Sequence, residues 1–401
     1  MKKLFCLLLT VLCGMTFAAC GGTTVSDDPD DHTETETYEE KLFDGIDAVF
    51  DESLGYYNEH PSVLQDGTTR YLFYTRNTKK YDASTDSIAV RVGTYKGGEW
   101  TYGEAKTCIT VSENGWDSKS VFGADVVKGK FLYNGKEYSW LMSYSGSDRS
   151  DRMDADIGLA VAETPDGEWT KVGSEALIEF NSSEWDNVGL SYYPGCIESS
   201  LVSFDKSGKV YLFYEESEAF KSNYVYELDC SDLGAIVKGG RKVVETTGTS
   251  DLGTSNPLLY GGDFLYDNDS DSFFAAREVR TTATAEPKVA DEVEVLRASA
   301  DVLRRIEQGV TQEEPADWWS EVGDSIDADA TADMSDQSRI FGYMRIFSPC
   351  IASDAYGYLL EYGKLEVFFT TQACEGDERL PSDHADAYKF SQMIHTLVIT
   401  Y

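Results

Sequence analysis

Short apolar runs alternate with turn signals along most of this chain, and they do so in a repeating order. Each unit opens on a short apolar run, reverses, and continues into an aromatic-rich strand. The openings are His60-Pro61-Ser62-Val63-Leu64, Ala124-Asp125-Val126-Val127, Glu198-Ser199-Ser200-Leu201-Val202, Asn256-Pro257-Leu258-Leu259 and Ser348-Pro349-Cys350-Ile351. The second strands are predicted at Tyr71–Thr75, Tyr138–Tyr144, Tyr211–Glu215, Ser272–Ala276 and Leu365–Thr370. Between them lie Asp66-Gly67, Asn134-Gly135, Lys206-Ser207-Gly208 and Asp269-Ser270-Asp271, residues that favour tight reversals. Third strands are predicted at Ile88–Gly93, Ile157–Ala162 and Val293–Ala298. Gly98-Glu99-Trp100 and Gly167-Glu168-Trp169 close two units with matched turns, and Thr170-Lys171-Val172 gives a fourth, outer strand.

Four short strands per unit, repeating every roughly 50 to 75 residues, read as propeller blades. Five units predict an all-β, five-bladed propeller of four-stranded antiparallel blades. Two stacked sandwiches would not explain similar units with matched turns. One stretch breaks the pattern: about 299–338 holds a helix-like piece, Ala300–Gln308, then an acidic, Ala-rich run. It reads as a small, partly helical surface insertion in the fourth blade.

The N-terminus follows a different pattern. Met1-Lys2-Lys3 is positive, Leu4 to Leu12 is almost wholly apolar, and small residues follow at Gly14, Ala18 and Ala19. That order is a secretory signal, its apolar core too short to span a bilayer. Phe17-Ala18-Ala19-Cys20 resembles a lipobox, which implies cleavage before Cys20 and a lipid on its sulfur. Residues 1–19 are thus expected to be a lipoprotein signal, 20–41 a disordered acidic tether, and 42–401 the propeller. The tether carries Asp27, Asp28, Asp30, Asp31, Glu34, Glu36, Glu39 and Glu40 with little to bury. The expected location is the bacterial cell envelope, lipid-anchored, at the outer membrane.

Composition narrows the partners. The 25 tyrosines favour strands, and the formal net charge of −37 argues against nucleic acid or an anionic lipid surface. Membrane contact is expected only through the lipid. A neutral polar ligand such as an oligo- or polysaccharide suits this balance. Cys108, Cys196, Cys230, Cys350 and Cys374 form an odd, irregular set without metal spacing, and a buried thiol is the default for each, with room for a disulfide or two. None of the four histidines, His32, His60, His384 and His395, pairs at zinc-ligand spacing. Asp267 to Asp271 with Glu278 mimics a calcium loop, but Ser272 stands where the sixth-place glycine belongs, so a turn is expected. No cofactor is indicated.

Three motifs carry a family resemblance. His60-Pro61-Ser62-Val63 with Tyr71-Leu72-Phe73-Tyr74, Ile157-Gly158-Leu159-Ala160 with Asp166-Gly167-Glu168-Trp169, and Cys196-Ile197-Glu198-Ser199-Ser200 resemble the first three blades of glycoside hydrolase family 43 and its relatives, families 32, 68, 117 and 130. The resemblance implies two carboxylates across a scissile glycosidic bond, one protonating the leaving oxygen and one activating water. It implies a third carboxylate that tunes the acid by repulsion. The matching positions here read His60, Glu198 and Asn256, so one of three keeps a carboxylate. An amide does not titrate usefully, whereas His60 has a base's reference pKa of about 6.5.

Glu59, Asp125 and Glu198 are the substitutes at strand starts, with Asp125 and Glu198 able to face one another across the axis. The plainer account of each is an acid capping backbone groups. Tyr56, Tyr57, Tyr192 and Tyr193 precede inner strands at parallel places and suit stacking on sugar faces, with Asn256 beside them. Trp116 and Trp185 are rivals that read better as packing between blades. Two functions compete: a glycan-cleaving enzyme using Glu198, Asp125 and Glu59 or His60, and a non-catalytic glycan-binding lipoprotein on a degenerate propeller. A protein scaffold is a third, carried only by the fold's versatility.

Overall fold

The computed structural model describes residues 48–50, 55–82, 86–181, 195–217, 222–244, 259–279, 290, 292–303, 318–327, 345–372 and 391–401. These form an all-β, five-bladed propeller of four-stranded antiparallel blades. The inner, second and third strands of blade 1 are Asn58–Asp66, Thr69–Asn77 and Asp86–Lys96. Those of blade 2 are Ser120–Tyr133, Lys136–Ser147 and Asp156–Ala162, and those of blade 3 are Gly195–Ser203, Lys209–Ser217 and Ser222–Asp229. Blade 4 uses Tyr260–Asp267, Ser272–Val279 and Glu292–Ser299, and blade 5 uses Arg345–Ile351, Lys364–Gln372 and Met393–Thr400. Short outer strands complete blades 1 to 4. The N-terminal segment completes blade 5: Ala48 bridges His395, and Val49 N–H donates to Ile394 O at 2.8 Å. The first described residues thus fasten the last blade and close the ring.

Five apolar clusters, one per blade interface, form the core. Strand alternation explains this, since successive side chains point to opposite faces. In the second strand of blade 1, Phe73 packs toward Val126 and Met142 of blade 2, while Leu72 and Tyr74 pack toward Cys350 and Phe368 of blade 5. Leu141 and Leu159 meet Leu201 and Leu212, Phe213 stacks on Phe264 at 4.2 Å, and Leu265 and Phe274 meet Ile351 and Val367.

Inner strands start at one end of the axis and finish at the other. The finishing end is sealed by residues 352–360, which leave blade 5 and touch the other four. Ser353 and Asp354 pair in parallel with Leu64 and Gln65 of blade 1. Lys128, Ser203 and Tyr266 donate main-chain N–H groups to Ala355, Tyr356 and Gly357 at 2.6, 2.9 and 3.0 Å. Gly357 has φ +77°, and a Cβ there would lie 2.8 Å from Leu201 O, so only glycine fits.

Two expectations are corrected. The fourth inner strand starts at Tyr260, not Asn256. Leu259 is instead pinned by Asn223, whose amide donates to Leu259 O at 3.0 Å and accepts from its N–H at 2.9 Å. Gly261-Gly262, which looks like a turn, lies within the strand. The fourth-blade helix is described only at 301–303, and there it packs inward: Ala300, Val302 and Leu303 are buried against Phe264 and Trp319. Residues 1–41 lie outside the described residues, and among those described no helix is long and apolar enough to cross a membrane.

Candidate functional site

All five inner strands share one irregularity near their starts. Register shifts between Glu59 and Ser62, Phe122 and Asp125, Ile197 and Ser200, Tyr260 and Asp263, and Phe347 and Cys350. One residue of each bulge is left-handed: His60 (φ 52°), Gly123 (56°), Glu198 (51°), Gly261 (58°) and Ser348 (46°). These five equivalent residues ring the open end of the axis above a cavity of about 30 Å³, room for one water-sized group. Glycine is the cheap residue at such a dihedral, and a side chain there costs about 1–2 kcal/mol. Blades 1, 3 and 5 nevertheless carry His60, Glu198 and Ser348.

Those two side chains meet, with His60 Nε2 2.8 Å from Glu198 Oε1. On its other side His60 Nδ1 lies 3.8 Å from Glu59 Oε1. Arg152 Nη1 grips Glu59, and its Nε donates to Asp86 Oδ2 at 2.8 Å. The Tyr57 hydroxyl donates to the other oxygen of Asp86. Asp86, Arg152, Glu59, His60 and Glu198 therefore form one row of alternating charge, fed by blades 1, 2 and 3. Burial alone would push the His60 pKa down. The Coulombic pull of Glu198, then of Glu59, and the hydrogen bond to Glu198 override burial and the opposing Arg152 charge, holding His60 above its ordinary value. Among the described residues, Glu198 bonds only to His60, leaving its second oxygen for a ligand. Phe122 and Phe347 flank the imidazole at centroid distances of 5.9 and 6.5 Å.

A second ring lies two residues deeper: Ser62, Asp125, Ser200, Asp263 and Cys350. Asp125 Oδ1 accepts from Ser62 Oγ at 2.6 Å and Val126 N at 2.8 Å, and its Oδ2 accepts from Leu201 N at 2.6 Å. Asp263 Oδ1 accepts from Ser200 Oγ at 2.9 Å, and its Oδ2 from Ile351 N at 2.8 Å. Asp125 thus ties blades 1, 2 and 3, and Asp263 ties blades 3, 4 and 5. Burial raises the pKa of both, and the Asp125 charge pushes Asp263 further, to about 8.

Glu59, His60 and Glu198 come together as the sequence suggests. Asp125 lies beneath them, bonded through both oxygens, and its coupled partner is Asp263 rather than Glu198. Tyr57 is buried beside Asp86, and Tyr56 packs under the Arg76 guanidinium at 5.1 Å. Tyr192, Tyr193, Asn256, Trp185, Cys374 and Cys20 lie outside the described residues, and Gly261 holds the fourth-blade place assigned to Asn256. Trp116 stacks on Tyr144 at 5.4 Å and covers Gly146 and Gly158. The Asp267–Asp271 stretch is a hairpin turn, and among the described residues no group of three His, Cys, Asp or Glu could hold a metal ion. Cys196, Cys230 and Cys350 are buried free thiols, and Cys108 is half-buried and free.

Sequence reasoning missed Arg152, Asp86 and Asp263, and two buried acids on second strands. Glu215 Oε2 accepts from Gly261 N at 3.3 Å, and Glu278 Oε1 from Ser348 N at 2.9 Å. Thr75 Oγ1 does the same for Gly123 N at 3.0 Å. A signal existed, because Thr75 and Glu215 end equivalent aromatic strands.

No family model matches the chain, and no curated protein matches it by sequence. Solved structures similar to it include the endo-arabinase from Bacteroides thetaiotaomicron VPI-5482, at 10% identity and TM-score 0.47, covering 86% of this chain and 93% of that one. A thermostable family-43 glycoside hydrolase is 16% identical at TM-score 0.47, with 86% and 90% covered. A family 117 glycoside hydrolase produced by the marine bacterium Zobellia galactanivorans is 13% identical at TM-score 0.49, with 87% of each chain covered. Likenesses at these identities and TM-scores say nothing of activity, and what the mouth does follows from its own residues.

Proposed function

We propose that this chain acts on oligo- or polysaccharide at the open end of its axis, as a glycoside hydrolase-like protein. One observation carries the reading. Three of five equivalent bulges carry a side chain where glycine is cheapest, and two of these, His60 and Glu198, meet at 2.8 Å over the cavity. The motifs of the first three blades support a carbohydrate substrate, as does a mouth of mixed charge with flanking aromatic rings. Hydrolysis needs a proton donor to the leaving oxygen and a base for water. At 2.8 Å His60 and Glu198 stand on the same side of any bound glycosidic bond, so together they supply one of these two roles, Glu198 presenting its second oxygen to the ligand and His60 exchanging the proton with it. Glu59 is committed to Arg152 and positions His60. The test is release of sugar from a panel of aryl glycosides and glycans. Wild type should cleave one, and Glu198→Gln should lose cleavage with an unchanged melting temperature. Failure of wild type on every glycan would remove the enzymatic reading.

A second reading is binding without cleavage, and the deeper ring favours it. Asp125 spends both oxygens holding three blades and so offers no second carboxylate for proton transfer. Calorimetric binding of a glycan with no product would select this reading.

We also propose that the chain is an exported lipoprotein anchored through Cys20. Metabolic labelling with a fatty acid should mark the wild-type chain in the envelope fraction and leave Cys20→Ala unlabelled. Equal labelling of both would rule the anchor out.

A further inference from the structure

A hollow larger than the one at the mouth lies at the opposite end of the axis. It is a groove of about 380 Å³ between blades 1 and 5, against about 30 Å³ at the mouth. Its walls are the first hairpin of blade 1, the turn into that blade's outer strand, and residues 352–366, all at the end of the axis where the inner strands finish. We infer that this groove is a second carbohydrate-binding site, one that holds a neutral polysaccharide without cleaving it.

Its chemistry argues for that ligand. Tyr95 is 57% exposed and lines one wall of the groove. Trp100 stands beside it, with centroids 5.2 Å apart at 52°. Trp100 is fixed in place. It leans over Gly93, where a Cβ would come within 3.3 Å of the indole, and the Arg70 guanidinium stacks on it at 4.2 Å. Arg70 is itself locked by Glu366, through bonds of 2.7 and 2.8 Å. An aromatic pair held by a buried bidentate ion pair is preorganised, so binding would order little.

The charges in the groove cancel. Arg70 and Lys364 face Glu366 and Glu361, with Lys364 3.8 Å from Glu361. In a chain of net charge −37, such a neutral patch suits neither a polyanion nor a polycation. One exposed ring, Tyr95, backed by the half-buried Trp100 and set among balanced donors and acceptors, matches the C–H faces and hydroxyls of a neutral sugar. The volume falls in the range of small-ligand sites, roughly 300–1,000 Å³, enough for two or three sugar rings.

The inference shares its ligand class with the function proposed for the mouth, but it rests on different residues, and one experiment separates them. The full chain is run in affinity gels cast with arabinoxylan, galactomannan or mixed-linkage β-glucan, beside Tyr95→Ala, Tyr95→Phe, Trp100→Ala and Glu198→Gln. Tyr95→Ala should fold as wild type and bind the retaining polymer about tenfold more weakly, as expected for the loss of one stacking ring. Tyr95→Phe should keep most of the retention, and Glu198→Gln should keep all of it. Retention that survives Tyr95→Ala and Trp100→Ala but vanishes in Glu198→Gln would overturn the groove and leave the mouth standing. Retention of wild type by no polymer would overturn it as well.

Discussion

The two ends of the axis are closed by opposite means. At the finishing end, residues 352–360 give main-chain carbonyls to three blades and a parallel pair to a fourth. At the starting end, the side chains of Glu59, His60 and Glu198 converge from two blades and Arg152 reaches in from another. Main-chain bonds need a backbone path and little else. Side-chain bonds need those side chains, and here three, His60, Glu198 and Arg152, sit on left-handed dihedrals. The difference divides labour: one end holds the blades together, while the other holds charge where a ligand can reach it. Substitutions at the seal should therefore unfold the protein, and substitutions in the upper ring should change its chemistry.

The sharpest test is Gly357→Val. The new side chain would have to take φ +77° and meet Leu201 O at 2.8 Å. Strain and clash together should cost about 3 kcal/mol or more, read as a lower urea midpoint. Glu198→Gln should change stability by less than about 1 kcal/mol. Equal midpoints for Gly357→Val and wild type would break the division.

Asp125→Ala comes next and places the boundary. Asp125 lies just under the mouth, yet it accepts three hydrogen bonds from three blades. Removing it strands the buried Leu201 N–H and the Ser62 hydroxyl, at about 2–4 kcal/mol. A stable Asp125→Ala with impaired function would move Asp125 into the chemistry and reopen its pairing with Glu198.

The same division governs what the sequence could show. Blades were legible because their cause is local: Tyr71–Thr75 and Tyr211–Glu215 alternate with period two, and Asp66-Gly67 and Asn134-Gly135 reverse the chain. His60 and Glu198 were legible because each stands at the same step of its repeat. Gly261 was not, because a bulge that carries two glycines has the same composition as a turn, and the apolar Leu258-Leu259 beside it drew the strand start four residues early. Arg152 was hidden for another reason. It reaches Glu59 across 93 residues of sequence, and nothing local to either residue marks the pair. The seal was invisible for the reason it works, since carbonyls of 355–357 bond to amides with no side-chain signature. Asp125 was open to two readings, and its bonds to Val126 N and Leu201 N are those of the plainer one, an acid holding backbone groups.

The smallest effect concerns the charge on His60, and it tests whether the mouth is the charged end at all. His60 is held above its ordinary pKa by Glu198 and Glu59 against burial and Arg152. A raised value means the folded state binds the proton more tightly than the unfolded state. The resulting stability is fully present below the unfolded value of about 6.5 and is lost as pH rises through the higher folded value. Asp263, raised to about 8, acts in the same direction, its contribution fading from the ordinary carboxylate range upward. Wild type alone would therefore lose stability on alkalinisation for two reasons. His60→Gln separates them, because the Asp263 contribution is common to both chains and cancels in their difference. Urea unfolding at intervals from pH 5 to pH 9 should show a wild-type advantage of about 1.5 kcal/mol at the acid end, the lower worth of one charge-assisted hydrogen bond, shrinking toward the alkaline end. An advantage that grows with pH would mean that His60 is held neutral. The row from Asp86 to Glu198 would then carry uncompensated negative charge, and the contrast between the two ends would have to be drawn on shape instead.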